Sequence, residues 1–371
     1  MRTAIVSDLH LGGFFGEDLL RDAGIRRMLL EEIGSADRVV LLGDVLELRE
    51  LPLAGVLEIA RPFFEDLGEA VAGREVLLVP GNHDHRLAEP LLESLAISGS
   101  PDLGLEHRHP PVAEAAVRID DWLGTAELQI AYPGAWLRDD VYAIHGHYMD
   151  CHMSLPRLEC LATAAVMRAG NRLPDPTGPG DYESVLRPIY GFSFGLAQAG
   201  MSHGATRVSE RAWRSLSGRN RANGQVRRAV ARAAVGAAVP ASIWALNRLL
   251  RADFDADLSP GAITRSGIAA ATEMTRRLRI EAAHVITGHT HRGGPREDEA
   301  EWPLAEGGHL HNTGSWVFAS AFHHPGTPPG PYWPGTVTWI EDEDPPRRVQ
   351  LLAEHPREEL RETVRRSAAP V

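Results

Sequence analysis

Short apolar runs bounded by turn or charged residues recur through the first part of the chain: Ala4–Ser7, Val39–Leu42, Val76–Val79, Leu128–Ala131 and Val141–Ile144. Runs of about four residues with such borders suit strands buried on both faces. Between the first two, Asp18–Ile33 carries Leu19, Leu20, Met28, Leu29 and Ile33 at roughly helical spacing. Leu51–Val71 also reads as a helix, with Pro52 and Pro62 blurring its limits. Strand–helix–strand order predicts an α/β layered sheet.

The pattern changes after residue 150. From Cys151 to about Ile280 the chain reads as helical without a strand, divided by the Pro/Gly-rich stretch Leu173–Gly180. Strand character returns at His284–Thr287, Gly314–Phe318, Thr336–Ile340 and Val349–Ala353. The charged segment Pro356–Arg366 reads as a short helix and Ser367–Val371 as a mobile end. Neither strand-bearing part has enough strands alone, so the two must join in one sheet. The expected organisation is a catalytic domain from 1–150 and 281–355, a helical insertion or lid over 151–280, and a C-terminal tail over 356–371.

Composition narrows the class. An apolar fraction of 43% and a charged fraction of 24% are ordinary for a globular chain of 371 residues. The net charge of −12 argues against a general nucleic-acid coat protein. All 38 basic residues are arginine. Ten of them fall between Met201 and Arg251 against one acid, Glu210, so this stretch is locally basic. Two cysteines, Cys151 and Cys160, make no disulfide framework and read as reduced, packed thiols. The apolar run at Thr3 leads straight to polar residues at Asp8 rather than through a leader-like segment, so a cytoplasmic protein is expected. The most membrane-like stretch, Ala233–Leu246, contains Pro240 and Ser242 and is too short to span a bilayer.

The chemistry sits where the expected strands end. Asp8 and His10 follow the first, Asp44 the second, Asn82, His83 and Asp84 the third, His145 and His147 the fifth, and His289 and His291 the strand after the insertion. Strands of one sheet can bring such ends to one edge, where α/β proteins bind ligands. Carboxylates, imidazoles and an amide oxygen without thiolate suit Mn²⁺, Fe or Zn²⁺, with Mn²⁺ placed first, and disfavour a Cys-rich structural zinc site. Seven candidates, Asp8, His10, Asp44, Asn82, His145, His289 and His291, are too many for one catalytic ion. They suit two ions sharing a carboxylate, a pair that can clamp the attacking and leaving oxygens of a phosphoryl group.

The ordered set Asp8-x-His10, Gly43-Asp44, Gly81-Asn82-His83-Asp84, His145-Gly146 and Gly288-His289-x-His291 resembles the calcineurin-like metallophosphoesterase superfamily, over about residues 3–148 and 284–355. The resemblance implies a β-sandwich flanked by helices. It implies that Asp8, His10 and His291 hold one ion, that Asn82, His145 and His289 hold the other, and that Asp44 bridges them. It further implies attack on phosphorus by a hydroxide between the ions, with His83 as the acid or charge stabiliser. Glu47, three residues after Asp44, is the family's position for an acid that orients this histidine; a solvated turn acid is the alternative. Asp84 has the same two readings, site group or loop pin.

The substrate expected is a phosphate mono- or diester or a pyrophosphate. Asp8-Leu9-His10-Leu11, Gly43-Asp44-Val45-Leu46-Glu47 and a helical lid are similar to the UDP-2,3-diacylglucosamine pyrophosphatases. His83 and His147 differ from the residues usual there. The Arg-rich segment, with Trp244, Ile243, Leu246, Leu249 and Leu250 beside Arg248 and Arg251, fits peripheral membrane or lipid contact, a nucleic acid as in a nuclease, or ordinary helix packing. A non-catalytic interaction module on the same scaffold is the remaining alternative, and the oligomeric state is left open. So are the roles of His147, Asp150, His152 and His311 beside the motifs.

Overall fold

The computed structural model describes residues 1–99, 103–170, 172–201, 240–257, 259–305, 307–319 and 329–368. The first part of the chain forms β1 (Thr3–Val6), α1 (Ala23–Ile33), β2 (Arg38–Leu42), α2 (Leu53–Ala70), β3 (Glu75–Val79), α3 (Glu89–Ser98), β4 (Glu106–His109), α4 (Glu114–Leu123), β5 (Glu127–Arg138) and β6 (Val141–Ile144). After it come α5 (Leu158–Ala169), α6 (Pro179–Gln198), a helical run over 240–250, and α7 (Pro260–Leu278). The chain then returns through β7 (His284–Thr287), β8 (His309–Asn312), β9 (Thr336–Ile340) and β10 (Arg347–Gln350) to α8 (Arg357–Ser367).

The hydrogen-bonded strand order is β10-β9-β1-β2-β3-β5-β6-β7-β8, with β4 beside β5. β1, β2, β3 and the start of β5 run parallel, as do β6, β7 and β8. β5 joins the halves: Glu127–Ile130 pairs with β3, while Gly134–Arg138 pairs antiparallel with β6.

Strand periodicity sorts the side chains into layers. Ile5, Val40, Leu42, Leu77 and Val79 of one half share a buried cluster with Val141, Ala143 and Ile286 of the other, so the halves face each other as a sandwich. The alternate residues Ala4, Val6, Val39, Leu41, Val76 and Leu78 pack outward against α1, α2 and α4. Tyr142, Ile144, Val285 and Leu310 pack outward against α5, α6 and α7. The fold is therefore α/β, a sandwich flanked by helices, as the pattern and the resemblance led one to expect.

Several element limits differ from the sequence reading. β4 and β8, Glu-His-Arg-His and His-Leu-His-Asn, lack an apolar run because both are edge strands. Gly314–Phe318 is not a strand. Its apolar residues are anchors of a loop: Trp316 and Phe318 are buried, and Trp316 Nε1 donates to the Thr336 carbonyl at 3.0 Å. The last strand is Arg347–Gln350 and not Val349–Ala353, because Leu352 has left the ladder to fill the core. α8 is docked on the core through Leu360.

Most of the Arg-rich stretch, residues 202–239, lies outside the described residues. Of the apolar residues at its end, Ile243 and Leu250 join the helical cluster, whereas Trp244 and Leu249 face outward at 66% and 69% exposure. Cys151 and Cys160 are free thiols. Among the described residues no helix is long and apolar enough to cross a membrane.

Candidate metal centre

The parallel strands within each half end at a common edge, and the sandwich brings the two edges together. Asp8 follows β1, Asp44 follows β2, Asn82 and His83 follow β3, His145 follows β6, and His289 and His291 follow β7. At these ends the backbone bends sharply. Asp8, His10, Asp44, His289 and His291 all take left-handed conformations, with φ of 54°, 45°, 51°, 64° and 57°. Such conformations are uncommon outside glycine, cost about 1–3 kcal/mol each and gather at functional sites.

Neighbouring glycines make the close approach feasible. A Cβ on Gly43 would lie 2.3 Å from His145 Nδ1, and one on Gly81 would lie 2.4 Å from Asp44 Oδ1. Asp84 pins the two loops. Its carboxylate accepts from the backbone nitrogens of Gly81 at 2.6 Å, Val45 at 2.7 Å and Asp44 at 3.3 Å. Of the two readings for Asp84, this geometry selects the loop pin.

All seven candidate ligands and His83 come together. Asp8, His10 and His291 form one group with donor atoms within 4.8 Å of one another; Asp44, His145 and His289 form another; His10, Asp44 and His83 form a third. Asp44 Oδ2 stands between them, 3.2 Å from His145 Nε2 and 3.7 Å from His10 Nε2. His291 Nε2 is 3.2 Å from Asp8 Oδ1 and 3.1 Å from His10 Nε2.

The outer nitrogens of three of these rings are already taken. His145 Nδ1 lies 2.9 Å from the Leu42 carbonyl, which can only accept. His10 Nδ1 lies 2.8 Å from Glu47 Oε2, and His289 Nε2 lies 3.0 Å from Asp150 Oδ1. With the protons on those outer nitrogens, the inner nitrogens present lone pairs to one another and to the carboxylates. A proton on an inner nitrogen or a metal ion among them can satisfy these acceptors, and imidazoles held from behind in this way are the usual arrangement at metal sites. The Asn82 amide sits 3.0 Å from His289 Nδ1 and 3.3 Å from Asp44 Oδ2. With its oxygen inward it adds a further lone pair; with its nitrogen inward it donates to both.

Charge leads to the same conclusion. Asp8 and Asp44 are 0% and 1% exposed, and only histidines lie within ion-pair distance of them among the described residues. Burial alone would raise both carboxyls. The neighbouring histidines outweigh it, led by His291 at Asp8 and His145 at Asp44, and hold both below the ordinary range. Burial likewise opposes charge on His10 and His145. Glu47 and Asp44 nevertheless raise His10 to about 10, and Asp44 and Asp8 raise His145 to about 9. Paired buried carboxylates thus demand positive charge, and divalent ions fit the donor set that offers it.

His83 and His291 are the more open members, with side chains 22% and 30% exposed, and so mark the mouth. His83 Nδ1 lies 2.6 Å from the Glu47 oxygen that also contacts His10. Burial would raise Glu47, but the His83 charge and the His10 contact hold it well below its usual value. The solvated-turn reading of Glu47 therefore fails, since the residue is only 3% exposed.

The sequence reading overlooked Arg49. Its Nη1 is 3.4 Å from His83 Nε2 and its Nη2 is 3.3 Å from Glu159 Oε1 of α5. Its position five residues after Asp44 was the only available signal. Asp150, left open before, stands behind His289. His147 is buried beside Tyr132, His152 bonds the Tyr182 hydroxyl at 2.6 Å, and His311 pairs with His284 on the outer strands.

Residues 1–181 match the family model described as calcineurin-like phosphoesterase. The match spans β1 to the start of α6 and takes in Asp8, His10, Asp44, Asn82, His83 and His145, while His289 and His291 lie beyond it. No curated protein matches the chain. Residues 1–181 thus form a calcineurin-like phosphoesterase domain, which makes the chain a metal-dependent phosphoric ester hydrolase.

Proposed function

We propose that the chain hydrolyses a phosphate mono- or diester, or a pyrophosphate, at a pair of divalent ions, with Mn²⁺ the first choice. In this reading Asp8, His10 and His291 hold one ion, Asn82, His145 and His289 hold the other, and Asp44 is shared. Residues 1–150 and 281–355 make up the catalytic domain, and 151–280 form a helical insertion beside the site. The observation that carries the proposal is the convergence of acceptor atoms around Asp44 Oδ2 from two separate parts of the chain. When bound, two such ions neutralise phosphoryl oxygens and make water a competent nucleophile near neutral pH.

The protein's own groups supply the rest. His83 acts as the acid toward the leaving oxygen: Glu47 stands 2.6 Å from its Nδ1 and favours the charged ring, and a substrate oxygen would take the place of Arg49 Nη1 at Nε2. Glu47 orients His83 and His10 together. Arg49 places a fixed positive charge beside His83, suited to a phosphoryl oxygen. A pocket of about 120 Å³ adjoins Arg49, Asn82 and His83 and is lined also by Arg86, Tyr190 and Phe194. The ester arm of the substrate would lie there, between the β3 loop and α6.

The test is turnover of p-nitrophenyl phosphate and bis-p-nitrophenyl phosphate by the Mn²⁺-loaded chain. Chelation should abolish the rate and Mn²⁺ restore it. Asp44→Asn and His83→Ala should each lower kcat by about 100-fold or more. Full activity in both variants, or in the presence of chelator, refutes the proposal. The relative rates on the two esters decide between monoesterase and diesterase.

A further inference from the structure

A larger cavity, of about 470 Å³, lies within the segment between β6 and β7. Its volume falls in the range of small-molecule sites, about 300–1,000 Å³. It shares no lining residue with the pocket at His83, so the two are separate chambers. Its floor is apolar, from Met153, Met167, Leu173, Leu250 and Phe254.

Arg168, Arg172 and Arg251 stand on its exposed rim, and none of the three has an ion pair or hydrogen bond among the described residues. Among the described residues Asp253 is the one acid on that rim. Arg277 also lines the cavity but is occupied by Glu273 at 2.6 Å. At the buried end is Asp150, 3% exposed. Its Oδ1 faces His289, while Oδ2 meets no donor among the described residues. A buried carboxylate oxygen without a donor is costly and rare. Asp150 lines the chamber, and a turn of its carboxylate would bring Oδ2 to a donor held there.

We propose that this cavity is a second binding site, for a small amphipathic anion that carries a hydroxyl at its far end. The carboxylate of the ligand pairs with the rim arginines, its alkyl or aryl body covers the apolar floor, and its hydroxyl donates to Asp150 Oδ2. Because Asp150 also touches His289, the site lies directly behind one histidine of the metal centre.

Direct binding to the full chain, measured by calorimetry, tests this without reference to turnover. The probe is 10-hydroxydecanoate, with decanoate and inorganic phosphate as comparisons. The expected result is saturable binding of 10-hydroxydecanoate, about tenfold tighter than decanoate, and undisturbed by inorganic phosphate. The triple variant Arg168→Ala, Arg172→Ala, Arg251→Ala should bind at least tenfold more weakly while retaining its rate on p-nitrophenyl phosphate. Ala164→Trp, which fills the cavity, should lose binding. Absence of binding to the wild-type chain, equal affinity in the arginine variant, equal affinity for decanoate, or displacement by inorganic phosphate would each overturn the proposal.

Discussion

Glu47 Oε2 stands 2.6 Å from Nδ1 of His83, and the same oxygen stands 2.8 Å from Nδ1 of His10. One buried carboxylate thus fixes the ring proposed as acid and a ring proposed as metal ligand. Loss of such a partner behind a ligand generally costs about 10–100-fold in metal affinity or activity. Glu47→Gln should therefore lower kcat or weaken Mn²⁺ binding by about that factor, read by steady-state kinetics alongside metal titration. Wild-type values for both would remove Glu47 from the machinery.

Asp84 acts on the backbone. Replacing it with Ala leaves the Gly81, Asp44 and Val45 nitrogens without their shared acceptor. Each buried donor left unmet costs about 1–3 kcal/mol. Asp84→Ala should lose on the order of 3 kcal/mol or more in urea unfolding, and Asp84→Asn less, since an amide oxygen can still accept. A stability within 0.5 kcal/mol of wild type, roughly the scatter of neutral surface changes, would contradict the pinning role.

Two glycines should respond in opposite ways to alanine. On Gly81 the new methyl meets Asp44 Oδ1 at 2.4 Å and the Asp44 backbone nitrogen at 2.7 Å, so the loop must move. Gly81→Ala should weaken Mn²⁺ binding by more than about tenfold, because ligand geometry tolerates little displacement. On exposed Gly55 of α2 the methyl meets nothing within 4 Å. Gly55→Ala should add about 0.5–1 kcal/mol of stability, measured by thermal denaturation. Matching responses at the two positions would contradict this account.

Away from the metal centre, His85 Nε2 lies 2.9 Å from Glu183 Oε2, and both residues are buried. Burial opposes the charge on His85, but Glu183 and Glu89 prevail and raise it to about 9. A histidine raised above its unfolded value of 6.5 contributes stability that is full below that pH and is lost as pH rises through about 9. The loss should be on the order of 3 kcal/mol. Stability should therefore fall between pH 6.5 and 9 in the wild-type chain, and the fall should be smaller in Glu183→Gln. Parallel pH profiles for the two proteins would show that the pair contributes nothing.

The sequence by itself determined the reaction type and the main sheet. Buried strands announce themselves as apolar runs, and β6, β7 and β9 match the expected ranges residue for residue. The candidate ligands were legible because Asp, His and Asn stand directly after those runs, where a sheet must deliver them to one edge. The polar edge strands β4 and β8 were not legible, since a strand with an open side needs no apolar signature. Nor was the loop at Trp316, whose apolar residues are buried without pairing into a ladder.

Tertiary structure alone decided which groups touch. Asp8 and His291 are remote in sequence yet 3.2 Å apart, because β1 and β7 lie in opposing halves of a sandwich. The same closure gave Glu47 two histidines, Asp150 one, and Arg49 both His83 and Glu159. Apolar periodicity records that a residue is buried but not what it is buried against. The partners of a polar group therefore emerge only when the strands are ordered and the two sheet halves are packed face to face.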